Sequence, residues 1–325
     1  MKNIMVTGGA GFIGSNFIRH LLQTDPKVNV VNVDLLTYAG HIENLIDIPN
    51  YKRYLFYQYD ICDGDRISSL MRRYQIDTVI NFAAESHVDR SIESSQQFVR
   101  TNVVGTQVLL DCALNHGIGR FVQIGTDEVY GSLEKDSPSS IETDPLAPRS
   151  PYSASKASAD LLALSYFHTH GLPICVTRSS NNYGTYQHPE KVIPLFITNV
   201  LGGKKVPMYG DGTNIRDWLH VRDNCEAIRL VAEKGTSGEI YNIASGNEIR
   251  NIDLTKMLLW GMGISEWGKH VEYVPDRKGH DWRYSMVCDK IREELGWVPK
   301  MAFDEGLKGT IEWYRVNVDW WKGLS

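Results

Sequence analysis

The chain has few cysteines, no long apolar run and no long run of basic residues. Its five cysteines are Cys62, Cys112, Cys175, Cys225 and Cys288. They are far apart and form no C-x-x-C pair, so we predict neither a disulfide framework nor a metal site. No apolar run approaches the ~20 residues of a membrane span, and the strand-like start NIMVTG leaves no room for a secretion signal. We therefore expect a cytoplasmic protein with reduced thiols.

Charge and composition also exclude some classes of partner. A formal net charge of -5 and a pI near 6.1 provide no basic field for a nucleic-acid backbone. With 42% hydrophobic and 22% charged residues over 325 positions, the chain can form a large core and two lobes. We expect a globular protein that binds small molecules and neither nucleic acid nor membrane.

Apolar, β-rich runs alternate with helix-period segments in the first part of the chain. The runs NIMVTG, VNVVNVD and DTVINFAAE read as strands, and FIGSNFIRHLLQT reads as a helix. This alternation is typical of a parallel sheet with helices on both faces. We predict an α/β fold, with a Rossmann-type doubly wound parallel sheet in residues 1–180. Residues 181–325 are expected to form mainly a smaller mixed α/β substrate lobe that includes the helix pattern VRDNCEAIRLVAEKG. A strand near 239–246 should rejoin the large sheet.

A glycine-rich turn follows the first predicted strand. Its G-x-x-G-x-x-G core, with the start of the next helix, comprises Gly8, Gly11, Phe12, Ile13 and Gly14. Such glycines let a backbone approach a pyrophosphate, and the helix N-terminus then faces the phosphates. Asp34 ends the second predicted strand, where a carboxylate accepts from an adenine ribose and repels a 2'-phosphate. We predict NAD binding over a plain packing turn. Asp60 and Ile61 could reach the adenine, or could lie in a solvated loop.

Tyr152 and Lys156 lie four residues apart at the start of the helix pattern YSASKASADLLALSYFHTH, and so share one face. Pairs of this kind are common on helix surfaces. After a dinucleotide-binding turn, however, the spacing indicates a base. Positive charge from Lys156 and from oxidised nicotinamide is expected to lower the phenol pKa from its usual value near ~10. The tyrosinate could then take a proton from a sugar hydroxyl.

Two adjacent carboxylates, Asp127 and Glu128, follow the apolar run RFVQIGT. Polar residues after a strand can simply cap the next turn, with their charges in water. The alternative is a reaction in which one carboxyl donates a proton while its neighbour accepts one. That alternative requires further machinery elsewhere in the chain, which the tyrosine, the lysine and the glycine turn supply.

Together these motifs resemble the extended short-chain dehydrogenase/reductase superfamily. Within it, the blocks AAESHVDRSI, GTDEVYG, SNNYG.YQ.PEK, P.YGDG.N.RDW and DR.GHD.RY closely resemble the dTDP-glucose 4,6-dehydratase family. The matching blocks run from Gly8 to about Tyr284. The resemblance implies a lyase with tightly bound NAD, acting on dTDP-glucose in the biosynthesis of deoxysugars such as rhamnose.

The resemblance also implies catalytic roles. Tyr152, supported by Lys156, would deprotonate the glucose C4 hydroxyl while Thr126 hydrogen-bonds the same oxygen. Once C4 is a ketone, Glu128 would remove the C5 proton. Asp127, held protonated, would protonate the departing C6 hydroxyl. The product would be dTDP-4-dehydro-6-deoxy-glucose.

Binding residues are carried over by motif. Besides the residues already named, the expected cofactor contacts are Ala84, Ser86, Thr101 and Asn182, together with Tyr152 and Lys156. The expected substrate contacts are Ser86, Thr126, Asn181, Lys191, Pro207, Met208, Tyr209, Arg216, Asn251, Arg277 and His280. Residues 207–209 are expected around thymine, and the ribose and phosphates are expected to contact Arg216, Asn251, Arg277 and His280. Ordinary ion pairing is the alternative for the two arginines. His87 and Tyr241 are expected to be structural.

Four positions depart from the family pattern: Thr185, His188, Lys278 and Trp282. They are expected around the nucleotide, so a different nucleotide-sugar 4,6-dehydratase or a 4-epimerase remains an alternative. A third possibility is an NAD-sensing module without turnover, which would not need an acid/base pair beside a tyrosine and lysine. The family pairs through the helix VVGTQVLLDCALNHG and the helix after Tyr152, which implies a homodimer. The apolar faces of those helices could equally be core.

Overall fold

A computed structural model describes residues 1–48, 51–276 and 279–324. The strands are β1 (Asn3–Thr7), β2 (Asn29–Asp34), β3 (Tyr54–Gln58), β4 (Thr78–Asn81), β5 (Arg120–Thr126), β6 (Ile174–Ser179), β7 (Asn181–Tyr183), β8 (Val206–Tyr209), β9 (Ile215–His220), β10 (Ile240–Ile243), β11 (Glu248–Arg250) and β12 (Val271–Val274). The α-helices are α1 (Phe12–Thr24), α2 (Gly64–Arg73), α3 (Val88–Glu93), α4 (Gln96–Phe98), α5 (Thr106–Asn115), α6 (Pro151–His170), α7 (Val192–Leu201), α8 (Val221–Lys234), α9 (Asn251–Gly261), α10 (Asp289–Leu295), α11 (Phe303–Val316) and α12 (Val318–Lys322). A π-helix, Val99–Gly105, runs directly into α5, and short 3-10 helices span Ile42–Leu45, Tyr51–Arg53, Asp127–Tyr130 and Trp267–His270.

The large sheet is parallel throughout. Within the described ranges it contains seven strands in the order β10-β6-β5-β4-β1-β2-β3. Because β2 and β3 lie on one side of β1 while β4, β5 and β6 lie on the other, the winding reverses between β1 and β4. Ligands of doubly wound sheets bind at this reversal, beyond the carboxyl ends of the strands. The predicted Rossmann-type fold is confirmed.

Two apolar cores cover the two faces of this sheet. On β1, Ile4 and Val6 point into one core and Met5 into the other, and all three are fully buried. Successive strand residues face opposite sides, so a strand covered on both faces carries apolar residues on both of them instead of alternating with polar ones. This explains why the first strand shows no polar alternation.

The position of helix α8 differs from the expectation, which places the segment VRDNCEAIRLVAEKG in the smaller lobe. Its apolar residues, among them Ile228 and Val231, pack instead in the same core as Phe17 and Ile18 of α1. An apolar stripe must be buried, and the face of the large sheet beside α1 offers the surface. The strand expected near 239–246 is β10, which pairs in parallel with β6 in the large sheet.

The second lobe contains two small sheets, with strand orders β11-β9-β7 and β12-β8 in the described part of the chain. Strand β9 is antiparallel to β11 and parallel to β7, so the lobe is mixed. Its core includes Tyr183, Trp218, Leu258 and Ile311. Several of its short strands lie in stretches whose glycines and prolines hid them from periodicity arguments. Across the described residues, no helix has both the length and the apolar character needed to cross a bilayer.

Candidate active site

A cavity of about 320 Å³ opens at the carboxyl ends of the central strands, where the winding reverses. Every residue predicted to contact the cofactor lines it: Gly8, Gly11, Phe12, Ile13, Gly14, Asp34, Asp60, Ile61, Ala84, Ser86, Thr101, Tyr152, Lys156 and Asn182. The same cavity is lined by Thr126, Asp127, Glu128, Asn181 and Lys191. The fold therefore brings the proposed acid, bases and dinucleotide contacts into one space.

The glycines of the turn serve different purposes. Gly8 has φ +69°, and a Cβ there would lie 2.6 Å from the Ala83 nitrogen; a Cβ on Gly14 would lie 2.3 Å from the Gly8 oxygen. Both are required by the packing of the protein itself. A Cβ on Gly11 would meet only the Gly8 oxygen, at 3.3 Å, so packing alone does not demand glycine there. A ligand that approached the turn closely would require glycine there.

Gly11 is also the N-cap of α1. It has no side chain to cap the helix, and the first turn of α1 carries no acidic residue. The first N–H groups and the positive end of the helix dipole therefore remain available at the cavity wall. This arrangement suits a pyrophosphate. The site fits a dinucleotide on these grounds.

Asp34 is fixed at the end of β2. Its Oδ2 accepts from the Ala10 N–H and its Oδ1 from the Leu36 N–H, both at 2.8 Å. Burial raises its pKa, and these two hydrogen bonds oppose that effect. Asp60 is held in a similar way, since it accepts from the Cys62 N–H at 2.9 Å and pairs with Arg100 at 2.7 Å.

Helix α6 positions Tyr152 and Lys156. Ser150 caps the helix, forms a reciprocal capping box with Ser153, and is followed by a proline in the first turn, all of which specify where the helix begins. The Lys156 Nζ donates to the backbone oxygen of Ile124. Burial lowers the pKa of Lys156 to about 8, although the charge of Asp160 opposes the shift.

The pKa of Tyr152 depends on its burial and on neighbouring charges. Burial raises it well above the usual value, and the charges of Glu128 and Asp127 raise it further, while a hydrogen bond with Thr126 acts in the opposite direction. In the protein alone, burial and the two carboxyl groups therefore dominate the phenol pKa, and its lowering by Lys156 together with oxidised nicotinamide stays a prediction. The ammonium donates to a backbone carbonyl and interacts with Asp160, whereas two carboxyl groups act on the phenol.

Asp127 and Glu128 begin the 3-10 helix that follows β5. Thr126 caps that helix: its hydroxyl accepts from the Glu128 N–H at 3.3 Å and donates to the Asp127 Oδ1 at 3.1 Å. Asp127 is only 4% exposed. Burial and, to a lesser extent, the charge of Glu128 raise its pKa to about 8, while the charge of Arg216 opposes the shift. Asp127 is therefore protonated at neutral pH, and Glu128 lies half-buried beside it on the same cavity.

Several buried polar atoms of cavity residues have no hydrogen-bond partner within the described part of the protein. They are Asp127 Oδ2, Asn181 Oδ1, Asn182 Oδ1, Gln187 Oε1 and Glu190 Oε1. Buried polar atoms in folded proteins are normally satisfied, so their concentration at one cavity indicates a polar ligand.

Sequence reasoning missed some of the lining, including Thr37, Glu85, Gln187 and Glu190. Glu85 lies within the block AAES, and Gln187 and Glu190 lie within YQHPEK. Gln187 connects the cavity wall to Asn182, because its Nε2 donates to the Asn182 backbone oxygen at 2.9 Å. Their position beside residues already predicted to bind ligand is the sequence feature that could have identified them.

The expected substrate residues of the second lobe lie outside this cavity's lining: Pro207, Met208, Tyr209, Arg216, Asn251 and His280. Met208 is buried in the core of the second lobe. Tyr209, which follows it on β8, is 41% exposed, and its ring centroid lies 6.4 Å from that of His280. Asn251 begins α9 and donates its N–H to the Asn214 backbone oxygen. Arg277 and Lys278 lie outside the described residues.

Arg216, on β9 of the second lobe, interacts electrostatically with Asp127. Its side chain is buried, donates to the backbone oxygens of Ile215, Asp281 and Trp282, and stacks 4.3 Å from the Tyr284 ring centroid. Its charge also acts on Asp127, where it opposes the rise in pKa. The arginine therefore lies where the second lobe meets the carboxyl pair.

The remaining predictions concern structural residues and departures from the family pattern. His87 caps α3, accepting from the Arg90 N–H at 3.4 Å, and the Tyr241 hydroxyl bonds the Thr236 N–H and the Glu294 carboxylate. Thr185 bonds to Asn16 on α1, and Trp282 contributes backbone hydrogen bonds. Among the departures that the structure describes, His188 is the one that lines the cavity. Its ring stacks on that of His41, with 5.3 Å between the ring centroids.

Comparison with known proteins agrees with this geometry. A family model described as GDP-mannose 4,6 dehydratase matches residues 5–310. A dTDP-glucose 4,6-dehydratase from Streptomyces antibioticus is 53% identical, over 99% of this chain and 95% of its own length. This chain belongs to the dTDP-glucose 4,6-dehydratase family. The predicted resemblance is confirmed.

Solved structures of dTDP-glucose 4,6-dehydratases extend the match to three dimensions. The enzyme from Streptomyces venezuelae, crystallised with NAD, has a TM-score of 0.96 at 50% identity, covering 99% of this chain and 100% of that one. The enzyme from Bacillus anthracis, in complex with NAD, has a TM-score of 0.93 at 46% identity, covering 100% of both chains. The predicted cofactor, NAD, is the one bound in both dTDP-glucose 4,6-dehydratases.

Proposed function

We propose that this protein converts dTDP-glucose to dTDP-4-dehydro-6-deoxy-glucose and water in deoxysugar biosynthesis, with NAD as a tightly bound cofactor. One observation carries the proposal: the protonated carboxyl of Asp127 lies beside Glu128 on the cavity that also contains Tyr152 and Lys156. Dehydration needs an acid and a base together, and oxidation needs a base beside the cofactor. The cavity contains all of these groups.

The residues that would hold NAD are those of the glycine turn and of the strand ends. The open N-terminus of α1 would face the pyrophosphate, and Asp34 would accept from the adenine ribose. When bound, NAD accepts a hydride from the sugar and later returns it, and its oxidised ring adds positive charge to the site.

For the oxidation, Tyr152 would take the proton of the C4 hydroxyl. Thr126 would hydrogen-bond the same sugar oxygen, because its hydroxyl lies beside the phenol. Its proton would then turn from the Asp127 Oδ1 to the sugar. Burial and two neighbouring carboxyl groups disfavour the tyrosinate in the protein alone. Protonation of Asp127 removes one of those negative charges, which makes ionisation of the phenol easier.

For the elimination, the new C4 ketone makes the C5 hydrogen acidic. Glu128 would take that proton, and Asp127 would give its own proton to the C6 oxygen, which leaves as water. Two adjacent carboxyl groups can perform these opposite tasks only if their protonation states differ. Nearly complete burial favours the protonated form of Asp127, while the hydrogen bond from Thr126 orients its carboxyl group and acts on the pKa in the opposite direction.

The nucleotide would extend from the cavity into the second lobe. Lys191 and Asn181 line the cavity at its junction with this lobe and would face the diphosphate. Tyr209 and His280 would lie on the thymidine side, with Arg216 between them and the carboxyl pair. Arg277 and Asn251 complete the proposed nucleotide contacts. This placement supports a nucleotide sugar that spans both lobes.

Proton NMR of the purified protein with NAD and dTDP-glucose in D2O tests the proposal. A new C6 methyl signal with deuterium at C5 is expected, and parallel reactions with UDP- and GDP-sugars would measure specificity. Inversion at C4 without a methyl signal would replace the proposal with an epimerase. Bound NAD with no change in the sugar would replace it with a sensing module.

We also propose a cytoplasmic homodimer. Val99 and Val104 of the π-helix and Leu161 of α6 are 49%, 44% and 58% exposed, although all three are apolar. The π-helix and α6 pack against each other, so these side chains lie on neighbouring helices. Apolar exposure of this kind is typical of an interface. Sedimentation velocity is expected to give twice the monomer mass of 36.8 kDa, and a monomer would contradict the proposal.

A further inference from the structure

The C-terminal helix α12 contacts the nucleotide-binding lobe through one indole. The Trp320 Nε1 donates to the Asn44 Oδ1 at 2.9 Å, across 276 positions of sequence. Asn44 is 1% exposed, and its Nδ2 donates to the Ala10 backbone oxygen at 2.8 Å. Ala10 is part of the glycine-rich turn. A single buried amide therefore joins the end of the chain to the turn.

The direction of this relay is determined by its two ends. An indole N–H can only donate, and a backbone carbonyl can only accept. Asn44 must therefore present its oxygen to Trp320 and its NH2 group to Ala10. Without the indole donor, the amide oxygen would be buried without that partner, and rotation of the amide would place an acceptor against the Ala10 oxygen.

Ala10 lies between the two groups that would hold the dinucleotide. Its N–H donates to the Asp34 Oδ2 at 2.8 Å, and its oxygen accepts from the His41 N–H as well as from Asn44. A shift of this peptide would move both the glycine turn and the Asp34 carboxylate. The orientation of Asn44 thus affects the shape of the cofactor cavity.

The indole itself is held by an aromatic cluster. The Trp320 ring centroid lies 4.9 Å from that of Trp313 and 5.8 Å from that of Tyr186. Tyr186 has φ +66°, which is uncommon outside glycine, and its hydroxyl donates to the Asp47 Oδ2 at 2.8 Å. Tyr186 precedes Gln187, which lines the cavity. The cluster therefore fixes Trp320 against the loop that contributes Gln187 to the cavity lining.

We propose that Trp320 is a positioning residue for NAD, acting through Asn44 to hold the glycine-rich turn in the shape that retains the cofactor. Trp320 is not part of the cavity lining, so the effect is indirect. The inference rests on the proposed function for the identity of the cofactor. It concerns how fast NAD leaves, and not the chemistry of the sugar.

Exchange of bound NAD for radiolabelled NAD measures this property without any sugar substrate. Trp320→Phe keeps an aromatic ring and removes the donor. Loss of one neutral hydrogen bond corresponds to about 2- to 12-fold in an equilibrium or rate, so we expect NAD to leave about 5-fold faster. The kcat for dTDP-glucose at saturating NAD should stay within about 2-fold, because no catalytic group has changed.

Trp321→Phe is the matched control. It removes an indole N–H from the next residue, but that N–H donates to the Tyr314 backbone oxygen, within the C-terminal helices. NAD release from this variant should equal that of the wild type. Equal acceleration in both variants would show a general loss of packing and would overturn the proposal. So would an unchanged release rate in Trp320→Phe.

Asn44→Asp provides a second variant, should Trp320→Phe not fold. Aspartate can still accept from Trp320 but cannot donate to the Ala10 oxygen when ionised, so NAD release should also accelerate. In the Asn44→Asp background, Trp320→Phe should add little, because both act on one relay. Additive effects would overturn the proposal. A wild-type protein that binds no NAD would overturn the proposed function. A wild-type protein that binds NAD, with unchanged release in the variants, would overturn only the proposal for Trp320.

Discussion

Asp127→Asn replaces a carboxyl that is already protonated at neutral pH with an amide of the same shape. The variant should therefore fold and bind substrate, and should lack only a proton to give. Loss of a positioned general acid typically lowers a rate by about 10² to 10⁴. We expect formation of the C6 methyl group to fall by at least about 10², while oxidation at C4 stays within about 10-fold.

The pH dependence follows from the pKa of Asp127, which burial raises to about 8. The active form is the protonated one, so it is present below that pKa and is lost as the pH rises through it. About 90% of the groups are protonated at pH 7 and about 10% at pH 9. Wild-type dehydration should therefore fall about tenfold per pH unit above 8. The residual rate of Asp127→Asn should not show this decline.

Two readouts separate the steps. The absorbance of reduced cofactor reports C4 oxidation, and proton NMR in D2O reports the methyl group and deuterium at C5. Because Glu128 remains, Asp127→Asn should still exchange the C5 hydrogen with solvent while forming almost no methyl product. A methyl group formed at the wild-type rate would refute the assignment of the acid. Equal losses of oxidation and dehydration would refute the separation of roles.

Three further outcomes are expected. Glu128→Gln should lower both C5 exchange and methyl formation by about 10² to 10⁴ while C4 oxidation continues, as measured by the same two readouts. Asp34→Asn should weaken NAD binding by about 10- to 100-fold in calorimetric titrations, because a charged hydrogen bond to the ribose is lost. The same variant should show a smaller preference for NAD over NADP. Asp127→Asn should raise the free energy of unfolding at pH 7 by up to about 4 kcal/mol in denaturant titrations. Between pH 3.8, the ordinary pKa, and pH 7 the carboxyl of the unfolded chain ionises while the native carboxyl stays protonated. Each of these roughly three pH units lowers wild-type stability by about 1.4 kcal/mol, a loss that the amide avoids.

The sign of the stability effect is specific. A raised native pKa means that wild-type stability falls as the pH rises from 3.8 toward 8, because only the unfolded chain ionises freely over that range. The advantage of Asp127→Asn should therefore vanish as the pH falls toward 4. An advantage independent of pH would contradict this account. For the other two variants, normal turnover by Glu128→Gln or unchanged NAD affinity in Asp34→Asn would contradict the proposed roles.

The sequence by itself determined the features that depend on local spacing. Glycines at three-residue intervals between a strand and a helix, with Asp34 one strand later, favour a dinucleotide-binding turn in a βαβ unit. Tyr152 and Lys156 share a face because a helix brings residues four apart together. The parallel direction of the strands follows from their alternation with helices, because parallel strands need crossover connections. Each of these arguments uses neighbours along the chain.

Tertiary structure alone decided the charge states and the long-range contacts. Asp127 is protonated because distant elements bury it beside Glu128, and the phenol of Tyr152 has a raised pKa for the same reason. The periodicity of α8 predicted a helix, yet only the assembled fold showed which sheet face it covers. The bond between Trp320 and Asn44 joins residues 276 positions apart. Burial and such pairings depend on the whole packed chain, which local pattern does not encode.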